Sequence, residues 1–176
     1  IARRQRQMCI RDRNKYTGKQ KNVLIYGAPG TGKSYYIEKQ IKPNYDGRVE
    51  RVTFYEDYDY TDFVGGLKPT RDQYNQINYT FIPGAFTRIL VEALNYPDKT
   101  HLLIIEELNR ANAASVFGDV FQLLDRDENG NSEYEIYAGE LAEYLDEKVI
   151  GFSKFKENGI KTVSYTHLTL PTSDLV

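Results

Sequence analysis

A chain of 176 residues with 23 Lys and Arg against 25 Asp and Glu has a formal net charge of −2, enough length for one substantial core, and no basic excess with which to grip nucleic acid directly. A single cysteine excludes an internal disulfide framework, as suits a reducing compartment. No apolar run approaches the roughly 20 residues needed to span a bilayer, so no membrane role is expected and the cytoplasm is the expected location.

The two ends of the chain are related to each other in an unusual way. Arg3-Arg4-Gln5-Arg6-Gln7-Met8-Cys9-Ile10-Arg11-Asp12 can be encoded by CGT CGG CAG CGT CAG ATG TGT ATA AGA GAC. The reverse complement, GTC TCT TAT ACA CAT CTG ACG CTG CCG ACG, encodes Val163-Ser164-Tyr165-Thr166-His167-Leu168-Thr169-Leu170-Pro171-Thr172. Folding imposes no antisense relation between two such segments. The DNA resembles a transposase-type sequencing adaptor, and residues 1–13 and 163–176 are read as non-native read-through, set aside from fold reasoning. Residues 14–162 then hold 18 basic and 23 acidic residues, a net charge of −5, and Cys9 falls outside them.

In chain order, Val23-Leu24-Ile25-Tyr26 is a short apolar run ending at glycine, the pattern of a buried parallel strand. A helix is predicted over 34–42, stopped by Pro43 and the Asn44-Tyr45-Asp46-Gly47 turn. A second strand follows over 49–55. An acid-capped helix is predicted to start at Asp59 and run to Leu67, where Lys68-Pro69 interrupts it.

Residues 74–82 alternate, with Ile77, Tyr79 and Phe81 on one side, and suggest part of a hairpin. Pro83-Gly84 opens an amphipathic helix with Phe86, Ile89, Leu90, Ala93 and Leu94 at helical spacing. A third strand, 101–105, is as apolar as the first. A helix over 112–125 carries Val116, Phe117, Val120, Phe121 and Leu124 on one stripe. A turn at 127–130 and a last helix over 139–147 complete the series. Strands separated by helices imply a parallel sheet with right-handed crossovers.

The strongest chemical signal is Gly27-Ala28-Pro29-Gly30-Thr31-Gly32-Lys33-Ser34, which satisfies GxxxxGK[ST], the phosphate-binding loop or Walker A motif. The preceding strand and following helix are the context this motif requires. Glycines let the backbone approach phosphate oxygens, successive amides point inward, and the helix presents its positive end. Lys33 is expected to reach the β- and γ-phosphates, the Ser34 hydroxyl to ligate Mg²⁺, and Tyr35 to flank the bound nucleotide.

The second signal is Leu102-Leu103-Ile104-Ile105-Glu106-Glu107, an apolar strand ending in two carboxylates as a Walker B segment does. Ligands of open α/β sheets sit at the carboxyl ends of the strands, so the first and third strands would deliver all four groups to one crevice. Glu106 is expected in the Mg²⁺ shell. Glu107 is expected to orient and polarise an attacking water.

GAPGTGKS, YEDYDYTDFVGGL over 55–67, PGAF over 83–86 and IIEELNRAN over 104–112 together resemble AAA-type (AAA+) ATPase domains. VFGDVFQLLD over 116–125 narrows the resemblance to the McrB-like branch, the NTP-driven motor subunits of modified-cytosine restriction systems. The resemblance covers about residues 20–150. It implies an α/β P-loop NTPase fold, a parallel sheet flanked by helices and here truncated after its third strand. It implies a homo-oligomeric ring, usually a hexamer, with a hairpin near residues 73–81 projecting toward the pore. ATP or GTP with Mg²⁺ would be the cofactors, an McrC-like nuclease subunit the partner, and DNA would be read through domains that precede the motor.

The resemblance assigns the phosphate-loop roles to Lys33 and Ser34 and the catalytic acid to Glu107. Glu106 stands where an aspartate is more usual, and Asn109 and Arg110 match a post-strand Asn-Arg pair expected at the subunit interface. Two readings compete with a hydrolysing motor. One is a nucleotide-gated binding module without turnover, which requires Glu107 to be misplaced. The other is a phosphotransferase, against which the ELNRAN segment and the PGAF-led helix argue.

Overall fold

The computed structural model describes residues 22–124, 139–152 and 166–172. Three parallel strands form at the expected positions, β1 (Asn22–Tyr26) and β5 (His101–Glu106) from apolar runs and β2 (Val49–Thr53) from a mixed one. β5 is buried on both faces. Leu103 and Ile105 join one apolar cluster and Leu102 and Ile104 the other, the period-two alternation of a strand covered on both sides. β2 lies beside it with Val49 opposite Leu102 and Thr53 opposite Glu106.

Between the sheet strands the chain makes a hairpin, β3 (Gly65–Arg71) and β4 (Ile77–Pro83), paired antiparallel from Gly65↔Pro83 to Arg71↔Ile77. Asp72 organises its turn, its Oδ1 accepting from the amides of Tyr74 (2.8 Å) and Gln76 (2.9 Å). The alternation over 74–82 therefore marks one arm of a real hairpin. Its other arm was misread as helix: the acid-capped helix α2 (Tyr60–Phe63) ends early, and Gly65, Gly66 and Leu67 are strand. Gly65, at φ 121°, cannot continue a helical turn, and Pro69 is tolerated because two-stranded ribbons leave half their backbone groups unpaired.

The helix after β1 begins as α1 (Lys33–Tyr36), widens to a π-helix over Ile37–Ile41 and closes with a 3₁₀ turn over Lys42–Asn44. Ile37 and Ile41 are fully buried against Leu102 and Ile104 on one face of the sheet. Pro43 ends the run, and the Asn44 side-chain amide donates to the carbonyls of Gln40 (2.6 Å) and Ile41 (3.0 Å).

The other face carries α3 (Ala85–Asn95), α4 (Ala113–Phe117) and α5 (Gly139–Lys148). Phe86, Ile89, Leu90, Ala93 and Leu94 of α3 are all buried, as their spacing predicts. Gly84 fits where it does because the backbone of Phe63 passes close: a β-carbon there would stand 2.2 Å from the Phe63 carbonyl oxygen. The single helix expected over 112–125 is two pieces, since Gly118 ends α4 and a 3₁₀ segment runs over Gly118–Leu124. Three residues per turn rotate Phe121 off the buried stripe, and it is 55% exposed. The turn expected at 127–130 lies outside the described residues.

A fourth strand, β6 (Thr166–Thr172), stands in the sheet, where the sequence reading had placed none after β5. The order is β1-β6-β5-β2, all parallel, with Leu168 opposite both Asn22 and Leu103. The edges of β1 and β5 would otherwise expose rows of backbone donors and acceptors, and a threonine-rich stretch satisfies them. Among the described residues no helix is long and apolar enough to cross a membrane.

Candidate functional site

The carboxyl ends of β1 and β5 define the site. From Tyr26 the chain enters a loop in which Gly30 (φ 74°) and Gly32 (φ 91°) hold left-handed conformations that favour glycine. The loop is closed by the Thr31 hydroxyl, which donates to the Ala28 carbonyl at 2.8 Å, and Pro29 is exposed at its tip. Lys33 folds back over it: its ammonium donates to the carbonyls of Gly27 and of Ala28, the latter at 3.0 Å. A cation is thus held in the bowl of the loop by weak carbonyl acceptors, which a phosphate would outcompete. Tyr35 is 69% exposed beside the loop.

Ser34 and Glu106, 72 residues apart in sequence, meet. The Ser34 hydroxyl lies 3.4 Å from Glu106 Oε1. Two hard oxygen donors at this spacing suit Mg²⁺, which takes one or two protein ligands and fills its octahedron with phosphate oxygens and water. Among the described residues no group of three or more His, Cys, Asp or Glu is arranged to hold a metal.

Glu107 follows at once but turns elsewhere. Its backbone is left-handed (φ 57°, ψ 41°), and its Oε2 accepts from Arg110 Nε at 3.1 Å. Arg110 and Asn109 lie in the 3₁₀ turn Leu108–Arg110, and the Arg110 amide donates to the Glu107 carbonyl at 2.9 Å. Asn112 caps α4, its Oδ1 accepting from the amides of Ala114 (3.1 Å) and Ser115 (3.3 Å), which fixes where that turn ends.

Sequence reasoning missed Arg51. Its guanidinium bridges two carboxylates, donating from Nη1 to Glu106 Oε1 at 2.8 Å and from Nη2 to Glu38. The parity of β2 contained the signal. Val49 packs in the cluster with Ile37 and Ile41, so Arg51, two residues on, faces the same way, toward α1 and the loop. Glu50 points to the opposite face and pairs there with Arg88 of α3 at 2.7 Å. Glu38 is held below the ordinary carboxylate range, first by its hydrogen bond from Lys42 and then by the charges of Lys42 and Arg51.

Residues 22–152 match the family model of the AAA domain, dynein-related subfamily. The chain is similar to the type II restriction enzyme BsuMI component YdiS of Bacillus subtilis, with 42% identity over 150 residues, covering 71% of this chain and 44% of that protein. It is also similar to the type IV methyl-directed restriction enzyme EcoKMcrB subunit of Escherichia coli, with 33% identity over 119 residues, covering 64% of this chain and 24% of that subunit. The chain therefore spans less than half the length of either relative.

Proposed function

From the premise that this chain belongs to the AAA domain family, dynein-related subfamily, we propose that it is the Mg²⁺-dependent NTP-hydrolysing core of a motor subunit in a DNA restriction complex. The observation that carries this reading is the meeting of Ser34 with Glu106 beside a lysine-filled glycine loop. Lys33 binds the β- and γ-phosphates of ATP or GTP, and the backbone N–H groups of residues 27–34 other than Pro29 line them. Ser34 and Glu106 hold Mg²⁺, which when bound neutralises phosphate charge. Glu107 takes a proton from the attacking water as the γ-phosphoryl group passes to it, releasing a nucleoside diphosphate and phosphate.

The similarity to restriction components supports a ring, a hexamer in this reading, acting in the cytoplasm with an McrC-like nuclease partner. DNA contact would fall to regions beyond this domain. Residues 14–162 form the N-terminal part of that nucleotide-binding domain, and the chain alone is expected to turn over little. AAA sites are shared between subunits, and an arginine supplied to such a site is worth about 10³- to 10⁵-fold in rate.

The deciding measurement is a calorimetric titration of Mg-NTP into Lys33→Ala. The variant should fold and show no detectable binding, because charge-assisted contacts to phosphate are roughly twice as strong as neutral ones. Affinity equal to that of the unaltered chain would sink the phosphate-loop reading.

A further inference from the structure

We propose that Arg51 is a built-in counter-cation of the site, one that competes with Mg²⁺ for the Glu106 carboxylate and so sets the Mg²⁺ concentration at which nucleotide binds. This rests on the nucleotide-site reading above. The oxygen of Glu106 that faces the Ser34 hydroxyl at 3.4 Å is the same Oε1 that accepts from Arg51 Nη1 at 2.8 Å. A divalent cation drawn to Ser34 and Glu106 therefore meets a guanidinium already seated on the shared ligand atom. The guanidinium is not free to leave, because its other nitrogen is anchored on Glu38. Glu38 itself also pairs with Lys42 at 2.9 Å.

Arg51 has two opposed effects on a metal ion. It keeps the long Glu106 side chain near Ser34, which helps, and it repels a second cation, which hinders. Repulsion scales with the product of the charges and is doubled for a divalent ion. Orientation is partly supplied without Arg51, since the β2 and β5 ladder fixes the Glu106 backbone: Thr53 is its register partner, and the Glu106 carbonyl accepts from the Phe54 amide at 2.9 Å. Both side chains are partly exposed, Arg51 at 34% and Glu106 at 24%, so salt weakens the effect and the ionic strength has to be held fixed when it is measured. With the Glu106 backbone already fixed by the ladder, the repulsion outweighs the orientation in this proposal.

The test is a Mg²⁺ titration, at constant ionic strength, of binding of a ribose-labelled fluorescent ATP or GTP analogue to this chain. Arg51→Gln is expected to lower the Mg²⁺ midpoint about 3- to 10-fold, the range that partly exposed ion pairs and a doubled charge suggest. Arg51→Lys, which keeps the charge, should stay within about twofold of the unaltered chain by the same reasoning. Glu38→Gln leaves the guanidinium with Glu106 as its one acidic partner in this bridge and should move the midpoint the other way, upward. Arg48→Gln removes a positive charge that is paired with Glu50 and Glu92 instead, and should not move it.

An unchanged or raised midpoint in Arg51→Gln, or a lowered one in Glu38→Gln, overturns the proposal. Failure of the unaltered chain to bind the analogue at any Mg²⁺ concentration would instead overturn the nucleotide-site reading.

Discussion

Glu106 and Glu107 are neighbours in sequence, yet the backbone sends them to different partners. Glu106 ends a regular strand and inherits its alternation, which points it at Ser34 and Arg51. Glu107 takes a left-handed conformation that costs a non-glycine residue on the order of 1 kcal/mol or more and persists only where surroundings enforce it. Such positions gather at functional sites, and here the turn releases the second carboxylate from the strand and gives it to Arg110. The two should therefore fail differently. Glu107→Gln is expected to keep nucleotide binding while lowering turnover of the assembled motor by on the order of 10²- to 10⁴-fold, since an amide cannot accept the water's proton. Glu106→Gln is expected instead to raise the Mg²⁺ concentration at half-maximal activity. Identical magnesium curves for the two variants would show the division of roles to be wrong.

Among the described elements, α2 and α3 meet closely at Gly84. Gly84 lies against the backbone of Phe63, its amide donates to the Val64 carbonyl at 3.0 Å, and the buried Thr87 hydroxyl donates to that same carbonyl. A methyl group 2.2 Å from a backbone oxygen cannot be absorbed by a rotamer change, so the helix would have to shift. Gly84→Ala is expected to destabilise the fold by about 3 kcal/mol, at the upper end for overpacking. Its urea midpoint should fall clearly below that of the neighbouring exposed substitution Arg88→Ala; equal midpoints would mean the contact is soft.

The elements also show what a sequence discloses. β5 and α3 were legible because their apolar periods are uninterrupted, and the phosphate loop because its spacing is specific; β1 was legible as a strand but not as a buried one, since Leu24 and Tyr26 are 48% and 61% exposed. β3 was not, since two glycines and a proline give no alternation and the strand exists only through its pairing with β4. The break at Gly118 was hidden by an apolar stripe that reads as continuous helix. Arg51 was missed for a different reason, since the parity of β2 gives only the face it lies on. Its importance lies in a contact with Glu106, 55 residues away, that only the β2–β5 register creates.

At the scale of the molecule, the phosphate loop depends on the strand that pairs with β1. Among the described residues β1 pairs with β6 alone, because β6 stands between it and β5. Residues 166–172 lie within the stretch whose codons can be antisense to those of Arg3 to Asp12, and we propose that both ends derive from adaptor DNA and that β6 is a stand-in for a strand of the parent domain. One detail of fit agrees. Pro171 falls opposite Ile25, where a residue with an amide hydrogen could donate to the ladder and proline cannot. The two halves of this reading make separable predictions. Deleting residues 163–176 should remove the partner of β1 and one of the two partners of β5, lower the urea midpoint, and weaken nucleotide binding about tenfold or more, as loss of strand pairing beside a binding loop would entail. Replacing the same residues with the stretch that follows the matched region in the B. subtilis relative should raise the midpoint above that of the chain as it stands. A residue with an amide hydrogen opposite Ile25 supplies the donor that Pro171 cannot. A deletion without effect on either measurement would show that β6 does not support the loop. A replacement less stable than the original would show that residues 163–176 are the proper strand, and would end the adaptor reading of the chain's ends.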